Sequence, residues 1–141
     1  MDADAPAGPE TADAPAVIVH SGSTNSPGFE ICVHESGKTE YRRRPHRSSR
    51  RDLARTAERR VGAVPAALSS RFFQHLREAV PLSQYEDRGC VKSASFGYSL
   101  RVEYREERSP DLACPVTDPR LAALAADIGD IERAAERMPP A

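Results

Sequence analysis

Hydrophobic and polar residues alternate over Phe29-Glu30-Ile31-Cys32-Val33-His34-Glu35, placing Phe29, Ile31 and Val33 on one face and Glu30, Cys32 and His34 on the other. That period of two predicts a half-buried strand. A short β-branched run, Ala16-Val17-Ile18-Val19-His20, precedes it, and the Ser, Gly, Thr, Asn and Pro residues of Ser21 to Gly28 mark the loop between them. After the turn residues Ser36-Gly37-Lys38, Thr39-Glu40-Tyr41-Arg42 resumes the extended alternation, which predicts a hairpin. The period then changes. Leu68, Phe72, Leu76 and Val80 recur every four residues with Phe73 and Ala79 flanking them, Pro65 stands where a helix can start without its N–H, and Pro81 stops the run. Burying each of those four side chains would contribute roughly 1.5 to 3 kcal/mol, enough to dock the helix on a sheet.

The second half repeats the plan. Ala94 to Arg105 alternates Phe96, Tyr98, Leu100, Val102 and Tyr104 against Ser95, Gly97, Ser99, Arg101 and Glu103, predicting a long strand with five apolar or aromatic residues on one face. Glu106-Glu107 turns the chain, and Arg108 to Leu112 is expected to return as a short edge strand limited by Pro110. Asp118-Pro119 reads as an N-cap followed by a first-turn proline, and Leu121, Leu124, Ile128, Ile131, Ala135 and Met138 form the stripe of a final helix interrupted by Gly129. Between the two halves, Arg43 to Arg60 offers no periodicity beyond Leu53, Ala54 and Ala57, so residues 43–62 are expected to be a mobile arginine-rich insertion. Strands, helix, strands, helix predicts an α+β domain over residues 16–138, with residues 139–141 as a tail. Its expected architecture is an antiparallel sheet of four or five strands with two helices packed on one face.

Length and composition agree with one domain: 141 residues, 39% hydrophobic and 29% charged, suit a single core and are too few for two. No apolar run approaches the roughly 18 residues needed to cross a bilayer. Residues 1–15 hold mainly Ala, Pro and the acids Asp2, Asp4, Glu10 and Asp13, with no base, and are expected to stay disordered because they cannot bury enough surface to offset ordering entropy. They lack the basic start and apolar middle of a secretory signal but suit a mature export product whose signal peptide was removed. The chain is then expected in the periplasm or outside the cell, and in the cytoplasm otherwise. The net charge of -1 gives no global field to recruit an acidic partner, yet arginine supplies nearly all of the 20 basic residues and clusters locally.

Candidate chemistry is sparse. Ser36-Gly37-Lys38-Thr39 looks like the tail of a phosphate-binding loop, but Cys32 stands where the upstream glycine belongs and the segment joins two strands, so a hairpin turn is the better reading. His20, His34, His46 and His75 are scattered without the spacing that puts two imidazoles on one helical face, and Cys32 with His34 supplies two ligands where structural zinc needs four. Ser21, Ser23 and Ser26 lie near His20 without a nucleophile elbow, and such serines usually bond their own backbone. No catalytic residue, metal site or cofactor is therefore expected. Arg42, Arg43, Arg44, Arg47, Arg50 and Arg51, extended by Arg55, Arg59 and Arg60, contain no acid over Arg42 to Arg51 and could neutralise phosphates. The aromatic interleaving of a single-strand stacking platform is missing apart from Tyr41, so a solvated loop competes with that reading. Cys90 and Cys114 bracket the Phe96 to Leu112 segment. A bridge between them would stabilise by about 3.5 kcal/mol in the chain-entropy estimate. Cys32 leaves an odd count, and three reduced thiols are the other possibility.

Gly22-Ser23-Thr24-Asn25, Lys92-Ser93-Ala94-Ser95-Phe96-Gly97 and Ser109-Pro110-Asp111-Leu112-Ala113-Cys114-Pro115, set in the order strand pair, helix, strand pair, helix, resemble a group of small uncharacterised bacterial domains predicted to be exported. The resemblance covers Val17 to Met138. It implies an α+β fold, an exported compartment and a pairing of Cys90 with Cys114, and it implies no activity. The chain departs from that group by its arginine block and by Cys32. The function expected is a non-enzymatic binding module, exported, contacting an unknown protein or acidic polymer through the sheet surface or the Ser21 to Gly28 loop. The alternative is a nucleic-acid-associated intracellular protein that binds phosphates through Arg42 to Arg60.

Overall fold

The computed structural model describes residues 14–44, 58–93 and 95–141. Alternation builds the centre of the sheet. β1 (Ala16–His20) lies between β2 (Phe29–Val33) and β5 (Leu100–Tyr104), β3 (Lys38–Arg43) and β4 (Glu58–Ala63) extend one side, and the two-residue β6 (Glu107–Arg108) ends the other. The order β4-β3-β2-β1-β5-β6 is antiparallel at every pairing. Ile18 stands opposite Ile31 on β2 and Val102 on β5, and Ile31 stands opposite Tyr41, so one register line carries four buried side chains across the sheet. The alternate residues, among them Val17, Cys32 and Glu40, line the other face.

Two helices complete the core. α1 (Ala66–Ala79) buries Phe72, Phe73, Leu76 and Ala79, and α2 (Pro119–Ala135) buries Leu121, Leu124, Ile128, Ile131 and Ala135. Both stripes join the sheet residues in one cluster, with Phe73 of α1 edge-on to Tyr104 of β5 at 5.9 Å between ring centroids. Asp118 caps α2 as its sequence suggests: the carboxylate accepts from the Arg120 N–H, and Pro119 occupies the first turn.

Three expectations about the strands need correction. The sheet has six strands, not four or five, because β4 lies inside the stretch read as a mobile insertion. β4 is an edge strand whose residues are exposed or half-buried, so it carries no apolar alternation to detect. Pairing from Lys38 opposite Ala63 to Arg43 opposite Glu58 holds it, together with the C-terminus: the Ala141 N–H donates to the Arg59 carbonyl and Arg60 Nη1 to the Met138 carbonyl, 2.6 Å. The strand predicted from Ala94 begins only at Leu100, with Phe96 70% and Tyr98 39% exposed. Ser93 diverts the chain before it: its Oγ accepts from the amides of Ser95 and Phe96, and its carbonyl accepts from Gly97 N–H at 2.8 Å, which winds a turn where the ladder would continue. The turn falls at Arg105-Glu106 (φ 52° and 67°), not Glu106-Glu107, so the return strand predicted over Arg108 to Leu112 is the two-residue Glu107–Arg108, after which Ser109 and Leu112 donate their amides to Val102 and Leu100 from irregular backbone.

Candidate functional site

Three loops meet at one end of the sheet. Ser21 to Gly28 follows β1, Cys90 to Ser99 leads into β5, and Ser109 to Asp118 runs from β6 to α2. The middle loop is braced from both sides. Asn25 donates both its backbone N–H and Nδ2 to the Ser95 carbonyl, at 3.3 and 3.2 Å, while Ser21 N–H donates to the Ser99 carbonyl and Ser99 N–H to Ser21 Oγ, 2.8 Å. On its other flank a disulfide joins Cys90 to Cys114 with Cα atoms 5.8 Å apart, and Lys92 Nζ pairs with the Asp111 carboxylate.

Asp111 is the organising group. Its side chain is 3% exposed and accepts from the Leu100 and Ala113 amides, each at 2.9 Å, as well as from Lys92. Burial alone would push its pKa up; Lys92 and the two amides outweigh burial and hold the carboxyl below its ordinary range. Close packing also sets the loop: a Cβ on Gly97 would lie 2.5 Å from both Lys92 Cβ and the Ser93 carbonyl oxygen.

An aromatic stack supports the same end. The His20 ring lies between Phe29 and Tyr98, with centroids 4.5 and 4.2 Å away, and its Nδ1 accepts the Gly22 N–H at 3.0 Å. That bond leaves Nε2 to carry the proton of the neutral ring. Burial, and then the nearby Arg43 charge, lower the His20 pKa. Gly22 sits at φ +76°, where a Cβ would also come within 2.4 Å of the Gly28 nitrogen.

Among exposed polar residues such as Thr24, Asn25, Ser26 and Lys92, this scaffold also presents apolar side chains to solvent. Of the large hydrophobic side chains exposed among the described residues, Val91, Phe96 and Tyr98 belong to this one loop, and Val61 lies on β4. Among the described residues three ion pairs flank the loop: Glu86 with Arg88, Asp87 with Arg101, Lys92 with Asp111. Beside the disulfide opens a cleft of about 400 Å³ with Tyr85, Asp87, Pro110, Asp111, Cys114 and Leu121 in its walls.

The arginine candidates begin beside this end, where the Arg44 N–H donates to the Gly28 carbonyl at 2.9 Å, and run along β3 and β4. Arg42 and Arg59 both bond Glu40, Arg44 bonds Glu30 and Arg60 bonds Glu58, so β3 and β4 bring these cations together and match them with glutamates. Arg43 stands opposite Phe29 and Glu58 in the ladder, its Nε buried. Arg47, Arg50, Arg51, Arg55 and His46 lie outside the described residues. Ser36-Gly37-Lys38-Thr39 forms the turn from β2 to β3, with Gly37 at φ +105°. Cys32 is a free thiol on the face away from the helices, its pKa raised by burial and by Glu40.

One constellation escaped the sequence reading. Asp127, 2% exposed, accepts from Arg71 Nε at 2.8 Å and lies 2.6 Å from His75 Nδ1, while Arg71 also reaches Asp130. A buried carboxylate orienting an imidazole is half of a nucleophile-activating relay, but no hydroxyl or thiol bonds His75 among the described residues, and the cluster clamps α1 to α2. The detectable signal was an acid within the apolar stripe of the last helix. No group of three metal-ligating side chains occurs among the described residues.

The fold and this end of it define a small disulfide-braced α+β domain with an exposed apolar loop. No known family, curated protein or solved structure matches the chain.

Proposed function

We propose that the protein is an exported, non-enzymatic binding module whose contact surface is the loop end formed by Ser21 to Gly28 and Cys90 to Ser99. One observation carries this reading: Val91, Phe96 and, in part, Tyr98 are exposed on a single loop that Asn25 and Ser21 of the neighbouring loop brace through its Ser95 and Ser99 backbone. Exposed apolar side chains gathered on one element mark contact sites more often than scattered ones do. The Cys90–Cys114 disulfide supports the compartment, since such bonds persist where the surroundings are oxidising. The second reading, phosphate binding through Arg42 to Arg60, has less support because Arg42, Arg44, Arg59 and Arg60 spend bonds on glutamates.

The test is site-specific photocrosslinking in the producing organism, with a photoreactive side chain placed in turn at Ser26, Val91 and Val61. Adducts at Ser26 and Val91 that excess unlabelled protein chases, and none at Val61, are the expected outcome. Adducts confined to Val61, or none at any position, would refute the loop end as the surface.

A further inference from the structure

Resting on that reading for its purpose, we infer that His20 is an acid-released latch on this surface. Its neutral ring joins Tyr98 to Gly22; protonating the ring frees the Tyr98 side of the surface while the sheet stays folded. The latch is a cluster of contacts around one imidazole. His20 ends β1 with its ring stacked between Phe29 and Tyr98, at interplanar angles of 23° and 16°. Its Nδ1 accepts the Gly22 N–H at 3.0 Å, and that bond needs the Nδ1 lone pair. One residue beyond His20, Ser21 exchanges two bonds with the neighbour of Tyr98: Ser21 N–H donates to the Ser99 carbonyl at 3.0 Å, and Ser99 N–H to Ser21 Oγ at 2.8 Å.

A protonated ring carries hydrogens on both nitrogens, so Nδ1–H would face Gly22 N–H. Gly22 cannot yield. It sits at φ +76° with the Gly28 nitrogen 2.4 Å from where a Cβ would stand, and Ser23 N–H bonds the Ser26 carbonyl at 2.8 Å behind it. The ring must therefore turn, and a turning ring leaves its stacks. Of the two partners Phe29 is 3% exposed, within the core, and Tyr98 is 39% exposed, so Tyr98 is the one released. The charges around the ring favour this. β3 brings Arg43, whose charge repels an imidazolium; Phe29 of β2 and Leu100 of β5, opposite His20 in the ladders, carry none. Glu58 stands across from Arg43 and bonds Arg60, and Glu132 of α2 lies within the Arg43 field. Among the described residues no carboxylate pairs with His20. The His20 backbone favours the cation, as aromatic faces do in general; burial, and then Arg43, act against it and lower the His20 pKa. On the far flank the Cys90–Cys114 disulfide and the Lys92–Asp111 pair do not involve His20, so release is confined to Tyr98, Ser99 and the Ser21 to Gly28 loop.

The experiment is an NMR titration of the full, oxidised chain from about pH 8 to about pH 4.5, following the His20 ring and the hydrogen-exchange protection of the amides together. Protection of the Gly22 and Ser99 amides is expected to fall as His20 protonates, while the amides paired between β2 and β3 keep theirs. Linkage fixes the size: the fall is about tenfold for each pH unit by which the His20 midpoint lies below about 6.5, the value of a free ring. His20→Asn keeps an acceptor at the δ position without a titrating ring, and its protection is expected not to change over the range. Four results would each overturn the latch: Gly22 and Ser99 amides that stay protected while His20 titrates, a ring that remains neutral throughout, loss of protection across β2 and β3 at the same pH, or the same fall in His20→Asn. The contact surface is judged separately, by photocrosslinking from Ser26 and Val91. Adducts that vanish below the His20 midpoint support control of the surface by the latch, and adducts that persist there at full yield overturn it. A latch that opens in a chain forming no adduct at either position stands without the binding reading.

Discussion

Removing the disulfide by Cys90→Ser with Cys114→Ser tests how the loop end is held. The two cysteines are 24 residues apart in sequence, and cross-linking a loop of that length removes about 3.5 kcal/mol of denatured-state entropy. Against a total stability of roughly 5 to 15 kcal/mol that is a large fraction. For a chain of this length it corresponds to a fall in Tm of about 10 °C. Serine at 114 keeps a small polar atom in the place where Cys114 Sγ lies 3.6 Å from Asp111 Oδ2, so the substitution opens little space. Urea denaturation of both proteins, with intact mass confirming that the wild type is lighter by two hydrogens before reduction, gives the free-energy difference directly. A loss under about 1 kcal/mol would refute the reasoning, because the bridge would then constrain little that Lys92 and Asp111 do not already hold. The same double variant should expose the amides of Ser95 to Ser99 to faster hydrogen exchange while leaving β2 and β3 protected, since the bridge meets only the foot of the loop.

Further outcomes follow from particular groups. The folded pKa of His20 lies below its unfolded value of about 6.5, so its contribution is present above that pH and is lost as pH falls through the folded value; an NMR titration midpoint at or above 6.5 would contradict the stacked neutral ring. Asp111 is also depressed, so the stability it supplies is present above about pH 3.9 and is lost as pH drops through its folded pKa; melting curves between about pH 2 and 5 should show that acid limb in the wild type and a flatter one in Asp111→Asn. Leu76→Ala, at a position 0% exposed between the helices and the sheet, should cost about 2 to 5 kcal/mol in denaturant unfolding, and a cost below 1 would mean that the core collapses around the gap.

Both helices were legible in the chain because their information is local. Phe72 and Leu76, or Leu124 and Ile128, share a face by spacing alone, and Asp118-Pro119 supplies its own start signal. The same holds for the central strands, where Phe29, Ile31 and Val33 alternate with polar residues, each buried in the fold. Periodicity misled at Phe96 and Tyr98, whose alternation matches a strand while Ser93 and Gly97 wind the backbone into a turn; hydrogen bonds local to that turn outcompeted the ladder.

Other features had no local signature at all. β4 exists because β3 offers an unpaired edge and the C-terminal residues close over it, and neither fact is written in Glu58 to Ala63. Asp127 meets Arg71 and His75 only when α1 and α2 pack, and Asn25 reaches Ser95 only when β1 and β5 lie side by side. Patterning of hydrophobic and polar residues thus determined the class of fold, the helices and the central strands, since burial selects one face of each element and that choice repeats along the chain. Tertiary structure alone decided the edge strand, the helix clamp and the braced loop with Phe96 at its surface, because each depends on contacts between residues far apart in sequence that no periodicity records.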